Sequence, residues 1–176
     1  RGGVQGRYPG QMSAMENEAV RGTRGETVVH PTAIVHDDAE LGVGVTIGPW
    51  ALLGPGVRVG DGTSVGPRAF LEKDTTVGED CTISNGAVLG TDPQDLKYKG
   101  EDTLLTVGDR TVVREFATLN RGTAAGGRTT VGSDCLLMAY SHVAHDCEIG
   151  NHVVLANSVN MAGHVLIEDW VIVGGV

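Results

Sequence analysis

Three of the six histidines, His142, His145 and His164, lie with Asp146 in the stretch that runs from Leu137 to His164. An imidazole can take a proton from a hydroxyl near neutral pH, a role worth roughly 10²–10⁴-fold in rate. A carboxylate beside it fixes the ring tautomer and favours the imidazolium that forms. The same stretch also carries Cys147. A metal reading of His142, His145 and Cys147 would require all three side chains to converge on one point. Which groups meet depends on the backbone that carries them.

That backbone is announced by a period of six. Val29, Val35, Leu41, Ile47, Leu53, Val59, Val65, Leu71, Val77, Ile83 and Leu89 recur at every sixth position, and glycine follows many of them. Four residues after each aliphatic stands something small, among them Ala51, Thr63, Ala69, Cys81 and Ala87. Neither the 3.6 of a helix nor the 2.0 of a simple strand fits. A hexad repeat predicts an all-β parallel β-helix in which each hexad supplies one short strand and one corner. The phase resumes at Val107, Val113 and Leu119, and again from Val131 to Val173. Both interruptions are whole multiples of six, so two loops are expected to protrude from corners without disturbing the stack.

Three hexads make a coil of 18 residues, and coils stack about 4.7–4.9 Å apart. Adding 18 to His145 reaches Gly163, and adding 18 to Asp146 reaches His164. The predicted patch holds an imidazole, a carboxylate next to it, a second imidazole over the carboxylate and a glycine amide over the first ring. Such an amide can receive the oxyanion of a tetrahedral intermediate, worth about 10²–10³-fold. The hexad phase turns Cys147 inward, which removes it both as nucleophile and as metal ligand and points to direct transfer. Spacing alone is equally compatible with a structural corner.

Composition sets the outer limits. A net charge of −9 over 176 residues argues against a general nucleic-acid or anionic-membrane surface. No apolar run approaches the roughly 20 residues of a membrane-spanning helix. The first residues, through position 26, are rich in Gly and Arg without apolar period and are expected to form a flexible arm; residues 27–176 form the repeat domain. Cys81, Cys135 and Cys147 fill small inward positions, and their odd number points to a reducing compartment. His30, His36 and His152 are given no role.

The hexad [Leu/Ile/Val]-Gly-x-x-small-x resembles the repeat of left-handed β-helix acyltransferases. Left-handedness follows from that resemblance, since crossovers are otherwise right-handed. Such proteins are trimers with sites in clefts between subunits. Within that group, His142-Val-Ala-His-Asp-Cys147, Leu155-Ala-Asn157 and Ala162-Gly-His164 are similar to the active-site run of the UDP-N-acetylglucosamine O-acyltransferases. These enzymes move a 3-hydroxyacyl chain from acyl carrier protein to the sugar 3-hydroxyl, the first step of lipid A biosynthesis, and work in the cytoplasm. The resemblance implies His145 as general base, Asp146 as its support, Gly163 as oxyanion donor, and His142 and His164 as substrate contacts. Gln94-Asp-Leu-Lys-Tyr98 in the first loop resembles a motif of the same family whose lysine contacts the sugar nucleotide, so Gln94, Asp95 and Lys97 are expected to bind substrate. Asn120-Arg-Gly-Thr123 opens the second loop and also fits the family, with Arg121 open to two readings, a substrate role or a carboxylate partner across subunits. No cofactor and no metal is implied.

The chain stops at Val173-Gly-Gly-Val176, in mid-pattern. Family members continue through more coils and a helical domain, so the 176-residue chain alone is expected to be inactive or poorly soluble. Three alternatives share the fold. An N-acyltransferase of the same pathway is disfavoured by Gln94–Tyr98. A γ-class carbonic anhydrase wants two zinc-binding histidines separated by four residues, whereas His142 and His145 are separated by two. A non-enzymatic scaffold would make the His145–Asp146–Gly163 stack accidental.

Overall fold

A computed structural model describes residues 25–175. The proposed arm therefore lies almost wholly outside the described residues. Among the described residues the backbone is a left-handed parallel β-helix of 22 short strands, beginning at Val28, with no helix. Every third strand pairs with its predecessor, which yields three parallel sheets of eight, seven and seven strands. The first sheet runs from Val28–Val29 to Ile172–Val173, the second from Ile34–Val35 to Asn160–Met161, and the third from Glu40–Leu41 to Leu166–Ile167.

The register is that of the hexad arithmetic. Val29 pairs with Ile47 and Leu137 with Leu155, each 18 positions on. The aliphatic of each hexad points inward, and Leu53, Leu71, Leu89, Leu119 and Leu137 are all at most 1% exposed. The small residue four places later is buried too: Ala51, Val57, Thr63 and Ala87 are fully enclosed, and Cys81, Cys135 and Cys147 are at most 2% exposed. Burial pushes the Cys81 thiol up to about 11 and raises the other two.

Corners are tight turns closed by an N–H that reaches back three residues, as from Ser141 to the Met138 carbonyl at 3.2 Å. The third turn residue takes φ near +55 to +65°, as at Trp50, Arg68, Tyr140, Asp146 and His164. A type II turn requires that value. Because the same conformation recurs at corners all along the chain, the positive φ of Asp146 is a property of the coil and not strain peculiar to a site. Proline stands second in the turns at Pro31, Pro49, Pro55 and Pro67, where its fixed φ suits the turn.

The three corner columns differ in chemistry. Between the third and first sheets, side chains of one coil cap backbone N–H groups of the coil before. Asp61 accepts from Val43, Asp109 from Glu79, Asn151 from Ser133 and Asp169 from Asn151, at 2.6–2.9 Å. This ladder explains a glycine pattern that the hexad leaves unexplained. A Cβ on Gly42, Gly78 or Gly150 would lie 2.3–2.4 Å from the capping carboxylate oxygen. Between the first and second sheets stands an aromatic column, with Arg68 over Trp50 and Phe116 stacked on Tyr140 at 5.4 Å. The remaining corner, between the second and third sheets, carries both protruding loops. The first, at residues 92–103, lengthens the coil so that Ile83 pairs with Val113; the second, at 121–127, makes Leu119 pair with Val143.

Candidate active site

The loop-bearing corner continues upward into His145–Asp146 and then Gly163–His164, so all these features share one edge of the prism. The His164 N–H donates to the His145 carbonyl at 3.0 Å, which seats the two corners in register. His145 Nδ1 lies 2.9 Å from Asp146 Oδ2. An ionised carboxylate only accepts hydrogen bonds, so Nδ1 is the donor and Nε2 keeps the lone pair. Gly163 lies directly on the ring: a Cβ there would be 2.5 Å from His145 Cε1 and 2.7 Å from Nε2. Its N–H donates to no acceptor among the described residues. The His164 ring meets His145 edge-on at 5.1 Å, and its Nε2 is 3.7 Å from Asp146 Oδ2.

Asp146 is held from several sides. Thr123 donates its N–H to Oδ1 at 2.9 Å and its hydroxyl to Oδ2 at 2.6 Å. The Asp146 N–H donates to Thr129 Oγ1 at 2.8 Å. Burial alone would raise the Asp146 carboxyl, but the Thr123 hydroxyl, the His145 ring and the Thr123 N–H outweigh it and hold it below the usual carboxylate range. The side chain is 2% exposed, that of His145 14% and that of His164 59%. A fixed, ionised carboxylate thus backs a ring that is itself not fully buried.

His145, Asp146 and His164 could each offer a metal ligand atom within 4.8 Å of the others. Asp146 already accepts two bonds from Thr123 and one from His145, whereas His164 stands 3.7 Å from it, beyond hydrogen-bond distance. The grouping of His142, His145 and Cys147 does not form. Cys147 points into the core, with Sγ 3.1 Å from the Ala162 carbonyl, and His142 Nδ1 lies 2.7 Å from the Thr118 hydroxyl. Burial lowers the His142 pKa, against a smaller raising effect of Thr118.

The two loops fold beside this corner. Asp95, Lys97, Tyr98 and Glu101 from the first loop, Thr123 to Ala125 from the second, and His164 line a cavity of about 250 Å³. Gln94 is exposed on the same loop but does not line it, and His142 stands on the face of the second sheet outside it. A second hollow of about 300 Å³ that shares Ala125 and His164 with the first is bounded by Gly126, Asp146, Glu148, Val165 and Leu166.

Of the two readings of Arg121, the structure supplies a carboxylate partner within the same chain. The Arg121 side chain is 3% exposed, and the guanidinium donates to Asp92, to the Gly90 carbonyl at 2.7 Å and to the Tyr98 hydroxyl at 3.2 Å. His152 does have a partner, since its ring stacks on Trp170 at 3.8 Å. Thr123, the principal donor to Asp146, is a site residue that spacing does not reveal, although it ends the Asn120–Thr123 run.

Residues 56–91 and 128–163 match the family model for bacterial transferase hexapeptide repeats. The chain is 56% identical over 150 residues to an acyl-[acyl-carrier-protein]–UDP-N-acetylglucosamine O-acyltransferase of Janthinobacterium sp. (strain Marseille), covering 85% of the chain and 57% of that protein. The enzyme of the same description from Alkalilimnicola ehrlichii is 61% identical over 150 residues, covering 85% of the chain and 58% of the enzyme. Among solved structures, the UDP-N-acetylglucosamine acyltransferase of Francisella novicida superposes with a TM-score of 0.81 at 36% identity, over 82% of this chain and 53% of that one. The chain therefore spans a little over half the length of the relatives it matches.

Proposed function

The chain belongs with the bacterial transferase hexapeptide repeat proteins, and on that premise we propose that it carries the acyl-transfer site of a UDP-N-acetylglucosamine O-acyltransferase. The observation that carries this reading is the corner where His145 Nδ1 is tied to a buried Asp146 while Gly163 lies on the ring. In this reading His145 Nε2 takes the proton of the sugar 3-hydroxyl as its oxygen attacks the thioester carbonyl of a 3-hydroxyacyl carrier protein. The tetrahedral oxyanion rests on the unpaired Gly163 N–H. As it collapses, the C–S bond breaks and His145 returns the proton to the leaving thiolate. No acyl-enzyme forms, because Cys147 is enclosed in the core. Asp146 stays ionised throughout and stabilises the transient imidazolium.

The cavity beside His164 accounts for the acceptor. Lys97 on its wall offers a compact positive charge suited to a diphosphate. The second hollow, which His164 and Asp146 also line, leaves room for the incoming donor. The name shared by the relatives supports the donor and acceptor classes. A homotrimer would supply a second wall for these open hollows, and the cytoplasm is where carrier-bound donors and nucleotide sugars occur together. No helix among the described residues is long and apolar enough to cross a membrane.

Incubation of the full-length parent protein with UDP-N-acetylglucosamine and a series of 3-hydroxyacyl carrier proteins, read by mass spectrometry, tests the reading. Transfer to the sugar is expected, and His145→Ala lowers it by about 10²-fold. Near-parental turnover in that variant refutes the role of His145. Carbon dioxide hydration with stoichiometric zinc would favour the carbonic anhydrase alternative.

A further inference from the structure

The mechanism above leaves unused a buried cation at the root of the loops. Arg121 is 3% exposed, and a guanidinium taken out of water is costly unless its donors are filled. Here they are filled almost entirely by the first loop and the strand that leads into it. Asp92, the Gly90 carbonyl and the Tyr98 hydroxyl accept from it, Glu72 lies 4.0 Å away, and the guanidinium carbon sits 5.7 Å above the Tyr98 ring. Tyr98 in turn donates its hydroxyl to the Glu101 carbonyl at 2.8 Å, which closes the loop segment that presents Lys97.

Two residues after Arg121 the second loop faces the other way. Thr123 gives both its donors to Asp146, the carboxylate that orients His145. Between them Gly122 passes beneath Arg128, where a Cβ would lie 2.3 Å from the Arg128 nitrogen and 2.6 Å from its Cα. The backbone is fixed on both sides of this crossing. The Arg121 N–H donates to the Thr91 carbonyl at 3.1 Å and the Gly122 N–H to the Leu104 carbonyl at 3.2 Å.

We propose that Arg121-Gly122-Thr123 is a positioning link that sets the Lys97–Tyr98 loop at a fixed distance from the His145–Asp146 base. Arg121 acts on the acceptor side through Tyr98 and Asp92, and Thr123 acts on the chemical side through Asp146. Neither residue touches the reacting atoms. The link ties acceptor placement to base orientation through three consecutive residues, so the two ends fail in different ways. This inference rests on the reading of His145 and Lys97 given above.

The test compares Arg121→Lys, Thr123→Val and Thr123→Ser. Arg121→Lys keeps the charge but loses the fork, and it raises KM for UDP-N-acetylglucosamine about tenfold while kcat changes little. Thr123→Val removes one charge-assisted bond to Asp146 and lowers kcat by about tenfold or more at parental KM. Thr123→Ser, which keeps the donor, recovers most of that loss. Two readouts need no turnover. Hydrogen exchange at the Lys97 and Tyr98 amides accelerates in Arg121→Lys, and the Asp146 carboxyl, followed by carbon-13 NMR, titrates at higher pH in Thr123→Val than in the parent. Equal, proportional loss in both variants, or parental exchange and titration, overturns the link. If the parent transfers no acyl group yet both spectroscopic changes occur, the link stands and the assigned reaction falls.

Discussion

Gly163→Ala places a methyl group where the ring of His145 now lies. The added carbon would sit 2.5, 2.7 and 3.0 Å from His145 Cε1, Nε2 and Nδ1. Carbon contacts are comfortable from about 3.5 Å, so the ring must retreat by roughly 1 Å. The room for retreat is small, because the 2.9 Å bond from Nδ1 to Asp146 Oδ2 stretches as the ring moves. A displacement of about 1 Å from the working geometry costs on the order of 10²-fold in rate. Overpacking of this kind costs about 1–3 kcal/mol of stability. The backbone at Gly163 is not in the left-handed region, so alanine adds no dihedral strain. The substitution also keeps the N–H, which separates a displaced base from a missing oxyanion donor. The expected result is a kcat near one-hundredth of the parent with a modest fall in the denaturant midpoint. The nitrogen-15 spectrum of His145 is expected to show a weakened bond at Nδ1. Parental turnover with an unchanged His145 spectrum would refute the placement of Gly163 on the ring and, with it, the oxyanion assignment.

Three further outcomes follow from the same geometry. Asp146 has a folded pKa below its unfolded value, so its contribution to stability is complete above the usual carboxyl range and is lost as pH falls through the folded value. Asp146→Asn is therefore expected to be less stable than the parent at pH 7, with the gap closing below about pH 4 in parallel denaturant titrations; a constant gap would exclude the linkage. Gly150→Ala collides with Asp169 Oδ1 at 2.4 Å and with the Asp169 nitrogen at 2.7 Å, whereas Gly174→Ala meets nothing within 4 Å. The first is expected to cost about 1–3 kcal/mol and the second almost nothing, and similar midpoints for the two would count against the capping ladder. All three thiols are buried and their pKa values raised. An aromatic disulfide reagent at pH 8 is expected to label none of them in the folded protein and all of them in denaturant.

The repeat was legible because burial in a coil depends on the residue type at one position in six, and Leu53, Leu71 and Leu89 mark it without ambiguity. The same count of 18 brought Gly163 to His145 and His164 to Asp146. It equally brings Trp170 to His152, a stack that carries no chemistry of its own and so leaves no functional signal in the sequence. Thr123 and Arg121 were not reachable by the count. Thr123 lies 23 positions before Asp146 and Arg121 lies 29 after Asp92, because the loops break the interval at their own corner. The glycine pattern was legible as a repeat but not as a cause. Its reason lies in side chains such as Asp61 and Asp169 that arrive from the next coil.

The capping ladder runs along one edge of the prism, while both insertions and the candidate base lie along another. Register is thus kept by a spine that never passes through the working edge. A segment exchanged or lengthened at the loop-bearing corner meets no constraint from the ladder, provided that Arg121 and Thr123 retain their anchors. Coil-to-coil alignment and substrate selection can then change independently, as a tool head changes on an unchanged shaft. A foreign loop grafted between Thr91 and Leu104 therefore has to keep Asp92 and Tyr98, which hold Arg121.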